Sequence, residues 1–443
     1  MKYSLVAFAL SAMAVASCNR KADYDAIFNN PVLYSKTVYQ LNTVVMGNNF
    51  SPIVASRNYT YANVAAYQVI AGAYPDKYES LAGQLHGLGP TPKPEKGKAV
   101  DVSFAALLAF CKLGEAVTFP AGSMQDYVDS LKKMADEHGM PADMLNNSVA
   151  YADTVSAIIM DWSKKDHYLQ TRGASEYTVM DSPGRWVPTP PAYSAAAEPN
   201  WREIRPLVLD SFNLFPSPPP YKFNITDKNS DYCKQIMDIK NATDSLTPEQ
   251  AHIADFWDDN PFKLNVSGHL MFGTKKFSPP GHWLSIVGIA AEKAHADFGT
   301  TVTAFTITAI SLFDAFIQCW DAKYTYNTVR PETVINKYID PNWRPHLQTP
   351  PFPEYTCGHS TGSASAAEAL TSIFGDNFSY TDTTEIEFGI KSRSFKSFRD
   401  AALENNWARF YGGIHFHHSC LVSTELGRKV GNLVVQRLKM KKA

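Results

Sequence analysis

Five side chains in the last third of this 443-residue chain, Lys323, Arg330, His359, Arg409 and His415, are of the types that grip a tetrahedral oxyanion. They fall in three short segments, KYTYNTVRP (323–331), EYTCGHS (354–360) and ARFYGGIH (408–415). Three fixed cations with two imidazoles describe a pocket for a phosphate-like ion, and chemistry performed on that ion or by it.

Each segment needs an element to aim it. Lys323 and Arg330 lie at the C-terminal end of an apolar helical stretch, seven residues or two turns apart, so they share a face if the helix continues to Pro331, which ends it. On any other surface such a pair would be an ordinary solvated helix face. In EYTCGHSTGSASAAEAL, Gly358 turns the chain into a helix, and the free N–H groups from Cys357 to Ser360 then point at whatever sits above the helix start. His359 stands at the rim, able to give or take a proton. Gly412-Gly413 separates Arg409 from His415 and lets both face one cavity. His417 and His418 follow, but no acidic or cysteine partner is spaced to complete a divalent metal site with them.

The composition narrows the function. A hydrophobic content of 45%, with 12% aromatics, provides for a large core. A net charge near −2 gives no basic field for a polyanion, so nucleic acid is excluded as a partner and the clustered cations serve a local site. The chain begins with Lys2 and an apolar run from Leu5 to Ala16, read as an export signal. Val15-Ala16-Ser17-Cys18 has the form of a lipobox, which makes Cys18 the acylated mature N-terminus of an exported lipoprotein. Asn19 after it favours the outer membrane of a Gram-negative bacterium, on the periplasmic side or the cell surface, with the membrane reached only through lipid. The other cysteines, Cys111, Cys233, Cys319, Cys357 and Cys420, are odd in number and contain no C-x-x-C pair, so they form neither a disulfide framework nor a zinc site.

Periodicity predicts an all-α chain. After the signal peptide (1–18) and a tether (19–29), a helical region covers 30–180. A Pro-rich connector covers 181–247, with ten prolines between Pro183 and Pro220, and a second helical bundle carrying the three segments covers 248–443. The segment TTVTAFTITAISLFDAFIQCW (300–320) is apolar enough to raise a membrane span, but its threonines, Asp314 and Gln318 favour a buried bundle helix.

In order and spacing, the three segments resemble the K-x6-R-P, P-S-G-H and S-R-x5-H-x3-D motifs shared by vanadium-dependent haloperoxidases and the type 2 phosphatidic acid phosphatases. The long N-terminal half, GRWVPTPP (184–191) and PPGHW (279–283) resemble the soluble bacterial haloperoxidases, above all the iodoperoxidases. That resemblance implies the helical bundle of the haloperoxidase and acid phosphatase type, with vanadate as cofactor. His415 would be the vanadium ligand, and Lys323, Arg330, Cys357, Gly358, His359 and Arg409 would complete the oxyanion site. His359 would act as acid–base partner, and Lys323 would polarise the peroxide. The implied reaction converts hydrogen peroxide and a halide, iodide or bromide rather than chloride, to hypohalous acid that meets an organic acceptor. Trp320 and Phe352 are candidates for the apolar wall of the halide pocket, and a homo-oligomer is compatible with all of this.

Four positions depart from the motifs: Thr356 stands for Pro, Cys357 for Ser, Ala408 for Ser and Ser419 for the last Asp. A phosphatase needs its nucleophilic His activated by a buried carboxylate, so Ser419 argues for the haloperoxidase over a vanadate-inhibited phosphatase with His415 as nucleophile. A lipoprotein that binds oxyanions without turnover is the third reading.

Overall fold

The computed structural model describes residues 22–261, 263–267, 270–273 and 276–442. The export signal and Cys18 lie outside the described residues. Seven helices form the N-terminal region: α1 (Tyr24–Phe28), α2 (Pro31–Gly47), α3 (Pro52–Ala73), α4 (Val102–Ala116), α5 (Gln125–Glu137), α6 (Ala142–Ser163) and α7 (Tyr168–Arg172). Their starts follow local chemistry. Asn30, Ser51 and Asp101 each accept a hydrogen bond from a first-turn N–H of the helix that follows, and Pro31 and Pro52 occupy first helical positions.

The prolines between Pro183 and Pro220 hold an irregular strap whose one regular turn is a 3-10 turn at Trp201–Glu203. Beyond it come α8 (Asp231–Asp244), which lies inside the stretch read as connector, and α9 (Pro248–Phe256). An antiparallel hairpin follows, β1 (Leu264–Ser267) with β2 (Leu270–Gly273), in which Leu264 pairs with Gly273. Then come α10 (Pro279–Lys293), α11 (Phe298–Tyr326), α12 (Pro331–Tyr338) and α13 (Gly358–Phe374). A second hairpin, β3 (Tyr380–Asp382) with β4 (Arg393–Phe395), precedes α14 (Phe398–Tyr411) and α15 (His417–Arg437).

The long helix α11 is the axis of the molecule, packed against α2 and α3 from the N-terminal region and α10, α13 and α15 from the C-terminal one. Its apolar window is buried along its whole length, as expected for a bundle helix. Asp314 and Gln318, the residues that spoke against a membrane span, tie the strap down. The Asp314 carboxylate accepts from the N–H groups of Leu207, Val208 and Leu209 at 2.8, 2.8 and 3.0 Å, and Gln318 Oε1 accepts from Phe215 N at 3.0 Å.

Small residues set the closest helix contacts. A Cβ on Gly427 of α15 would fall 2.1 Å from the Thr361 carbonyl of α13, and one on Gly431 2.7 Å from that of Ser365. Ser365 also donates its hydroxyl to the Ser311 carbonyl of α11 at 3.0 Å, so α13 meets α15 backbone to backbone and is tied to α11 by a side chain. One apolar core runs through both regions, from Phe28 to Met440. Each large side chain that it buries contributes about 1.5–3 kcal/mol.

Candidate active site

All five predicted side chains meet at one end of α11. Lys323 sits in its last turn, fully buried, and its Nζ donates to the carbonyls of Pro353 (2.8 Å) and Glu354 (3.2 Å). Burial pulls its pKa down to about 8. The helix does not continue to Arg330. It ends at Tyr326, Asn327 adopts a left-handed φ of 50°, and Arg330 is the N-cap of α12, so Pro331 opens a helix instead of closing one. Lys323 and Arg330 converge through this turn and not along a shared helix face.

Arg330 is fully buried. Its Nε donates to the Phe352 carbonyl (2.8 Å), and its Nη1 donates both to the Ile414 carbonyl (2.9 Å) and to His415 Nε2 (3.1 Å). Arg409, in the last turn of α14, gives Nη1 to the carbonyls of Trp257 (2.7 Å) and Asp258 (3.2 Å). Arg330 Nη2 and Arg409 Nε are buried without a hydrogen-bond partner, as is His359 Nε2. Each such orphan costs about 1–3 kcal/mol unless a ligand meets it.

The α13 N-terminus starts where the sequence predicts, but the Cys357 N–H is not free for a ligand, because it donates to Ser423 Oγ. Cys357 is its N-cap with no side-chain cap, and the helix opens at Gly358, so its first N–H groups have no acceptor within the helix. A side chain at Gly358 would press on the Trp320 ring at 3.3 Å. Trp320 and Phe352 pack together with centroids 5.0 Å apart, and Lys323 Nζ lies 5.5 Å and 4.9 Å from their centres. Burial, Arg409 and His415 hold His359 well below the ordinary histidine value, so its imidazole is neutral near pH 7.

Cys357 N donates to Ser423 Oγ at 2.8 Å. Burial pushes the Cys357 thiol up, but contacts with Cys420, His415 and His359 outweigh it and hold the thiol well below its ordinary value. The five described cysteines are all free and buried. His417 stacks on Trp407 at 4.1 Å and His418 on Tyr221 at 4.5 Å.

One functional residue escaped the sequence reading. His415 Nδ1 donates to Glu354 Oε1 at 2.9 Å, while Ser419 Oγ donates to Glu354 Oε2 at 3.0 Å. Because arginine can only donate, His415 Nε2 carries the lone pair and Nδ1 the proton. Ser419 therefore does not leave His415 without a carboxylate, contrary to the expectation from the missing aspartate. Glu354 replaces it from the loop before α13, and Ser419 holds Glu354. Glu354 heads EYTCGHS, but only the fold brings it beside a residue 61 positions later.

Residues 303–442 match the VCPO second helical-bundle domain. The crystal structure of the first bacterial vanadium-dependent iodoperoxidase superposes with a TM-score of 0.88 and 41% identity, covering 93% of this chain and 98% of that one. The holo and apo forms of a bacterial vanadium-dependent chloroperoxidase share the fold, each with a TM-score of 0.64, at 16% and 15% identity over 88% of this chain and 92% and 94% of theirs. No curated protein sequence matches the chain. The chain belongs to the vanadium-dependent haloperoxidases.

Proposed function

We propose that this protein oxidises halide with hydrogen peroxide to hypohalous acid, using vanadate held at His415, with iodide or bromide preferred to chloride. The observation that carries the reading is the ring of orphaned buried polar atoms, Arg330 Nη2, Arg409 Nε and His359 Nε2, beside the lone pair of His415 Nε2. An oxyanion meets all of them at once. Bound vanadate would supply a centre that activates peroxide for two-electron oxidation without changing its own oxidation state.

The chain's residues do the rest. Lys323, Arg330, Arg409 and the N–H of Gly358 bind the oxygens, and the proton on Nδ1, held by Glu354, keeps Nε2 unprotonated, so that it can turn its lone pair from Arg330 to the ligand. Neutral His359 would accept a proton from incoming peroxide, and Lys323 would place positive charge beside the oxygen that reacts with halide. Trp320 and Phe352 line the adjacent apolar wall. The preference for iodide draws on the relative described as an iodoperoxidase.

The test is an assay of the vanadate-loaded protein with hydrogen peroxide and each halide, beside a phosphomonoester assay of the vanadate-free protein. Iodide oxidation that requires vanadate and is suppressed by phosphate supports the reading. Phosphomonoester hydrolysis without vanadate-dependent halide oxidation rejects it. The Glu354–His415 pair specifically favours a second activity in the vanadate-free protein, since a carboxylate-oriented imidazole can act as a phosphate nucleophile. The lipobox supports export and a lipid anchor at Cys18, and Cys18→Ser should abolish lipid labelling and membrane association in cell fractionation.

A further inference from the structure

Behind the oxyanion pocket lies a second cluster that the proposed reaction does not use. Asp259, in the loop after α9, places both carboxylate oxygens 3.0 Å from His282 Nδ1, in the first turn of α10. On the other side, His282 Nε2 lies 3.0 Å from Asp382 Oδ2 at the end of β3 and 2.8 Å from Thr384 Oγ1. Glu385, from the turn after β3, brings Oε1 to 3.9 Å from the same Nδ1. The three carboxylates and the imidazole are at most 1% exposed.

Glu385 is the anomaly. Both of its oxygens are buried with no hydrogen-bond partner, although they face the one imidazole nitrogen that Asp259 also faces. Nearby, Lys276 Nζ lies 3.7 Å from Asp258 Oδ2, and Lys263 Nζ 3.1 Å, so these lysines pair with Asp258 and leave Glu385 unbonded.

One donor atom from each of Asp259, His282 and Glu385 lies within 4.8 Å of the other two. Ligand atoms around a tetrahedral zinc are about 3.4 Å apart. The observed separations of 3.0 and 3.9 Å bracket that spacing. Asp382 then has the place of an outer carboxylate that accepts from Nε2–H, and Nδ1, which donates to Asp259 in the metal-free chain, would give up its proton as the ion binds. One nitrogen and two carboxylate oxygens suit a borderline first-row divalent ion.

We propose that Asp259, His282 and Glu385 form a site for a divalent first-row cation, zinc or manganese, separate from the oxyanion pocket, with Asp382 orienting His282. The ion would act as a brace. Trp257 stacks on His282 at 4.8 Å, and the carbonyls of Trp257 and Asp258 are the ones that position Arg409. Fixing Asp259 fixes that turn.

The test uses the untagged full chain purified without vanadate, so its outcome is independent of halide oxidation. Elemental analysis should find about one zinc or manganese per chain. Chelation should remove it and lower the melting temperature, and added zinc or manganese should restore it. Glu385→Gln keeps the side-chain shape and should bind either ion at least about tenfold more weakly. If the chelated, folded wild-type chain binds neither ion by calorimetry and shows no melting shift, the proposal is overturned and the cluster shares protons only. Equal affinity in wild type and Glu385→Gln overturns it as well. Should the variant not fold, the wild-type chelation and add-back measurements decide alone.

Discussion

The residue that most changes the chemistry of the pocket is Glu354, because it sets which nitrogen of His415 carries the proton. Glu354→Gln keeps the shape but presents an amide, and it should weaken vanadate binding about 10–100-fold, read by titration of restored halide oxidation. Lys323 governs the pH dependence. Its folded pKa of about 8 lies below the ordinary lysine value, so it is charged below that pH and neutral above it. Phosphate affinity should therefore fall as pH rises through about 8, and Lys323→Arg should move that fall upward in a calorimetric pH series. Cys357→Ser removes an acidified thiol from beside His415, and it should tighten vanadate binding about tenfold and slow inactivation by peroxide, seen in progress curves. The cations, both imidazoles and Gly358 were legible in the sequence because each lies in a local pattern with its own physical reason. Glu354 as partner of His415 was not, and neither was the cluster at Asp259, His282, Asp382 and Glu385, because those residues share no spacing and meet only through tertiary packing.

Among the elements, α11 carries the most consequence. Its burial was readable from apolar content, but the use of Asp314 was not, since the three N–H groups it accepts belong to a strap about a hundred residues earlier in the chain. Asp314→Ala leaves all three buried without an acceptor, at about 1–3 kcal/mol each. The variant should lose well over about 3 kcal/mol in chemical denaturation and become sensitive to protease between Pro183 and Pro220. The sequence reading also carried α11 too far, past the left-handed Asn327 that redirects Arg330, because a single non-glycine residue at positive φ leaves little trace in hydrophobic periodicity. At the contact of α13 and α15, Gly427→Ala would push a methyl against the Thr361 carbonyl, and about 1–3 kcal/mol of lost stability should appear as a lower melting temperature.

At the scale of the molecule, the continuous core predicts that the two helical regions do not fold apart: residues 248–443 expressed alone should lack a cooperative melting transition in circular dichroism. The same continuity lets events in the pocket reach the whole fold. Lys323, Arg330 and Arg409 each donate to main-chain carbonyls, and those carbonyls come from three different stretches of chain, 257–258, 352–354 and 414. Each cation is thus a rivet between stretches of backbone, and the Glu354 carboxylate offsets only part of the charge on Lys323 and Arg330. Three like charges so confined strain against one another until an anion arrives. An anion that binds only the folded chain at a hundredfold excess over its dissociation constant adds about 2.7 kcal/mol to stability. Vanadate is then a keystone as well as a reagent, and a cell short of it would hold a protein that is easier to unfold and degrade, so that scarcity of the metal lowers the amount of the enzyme along with its activity.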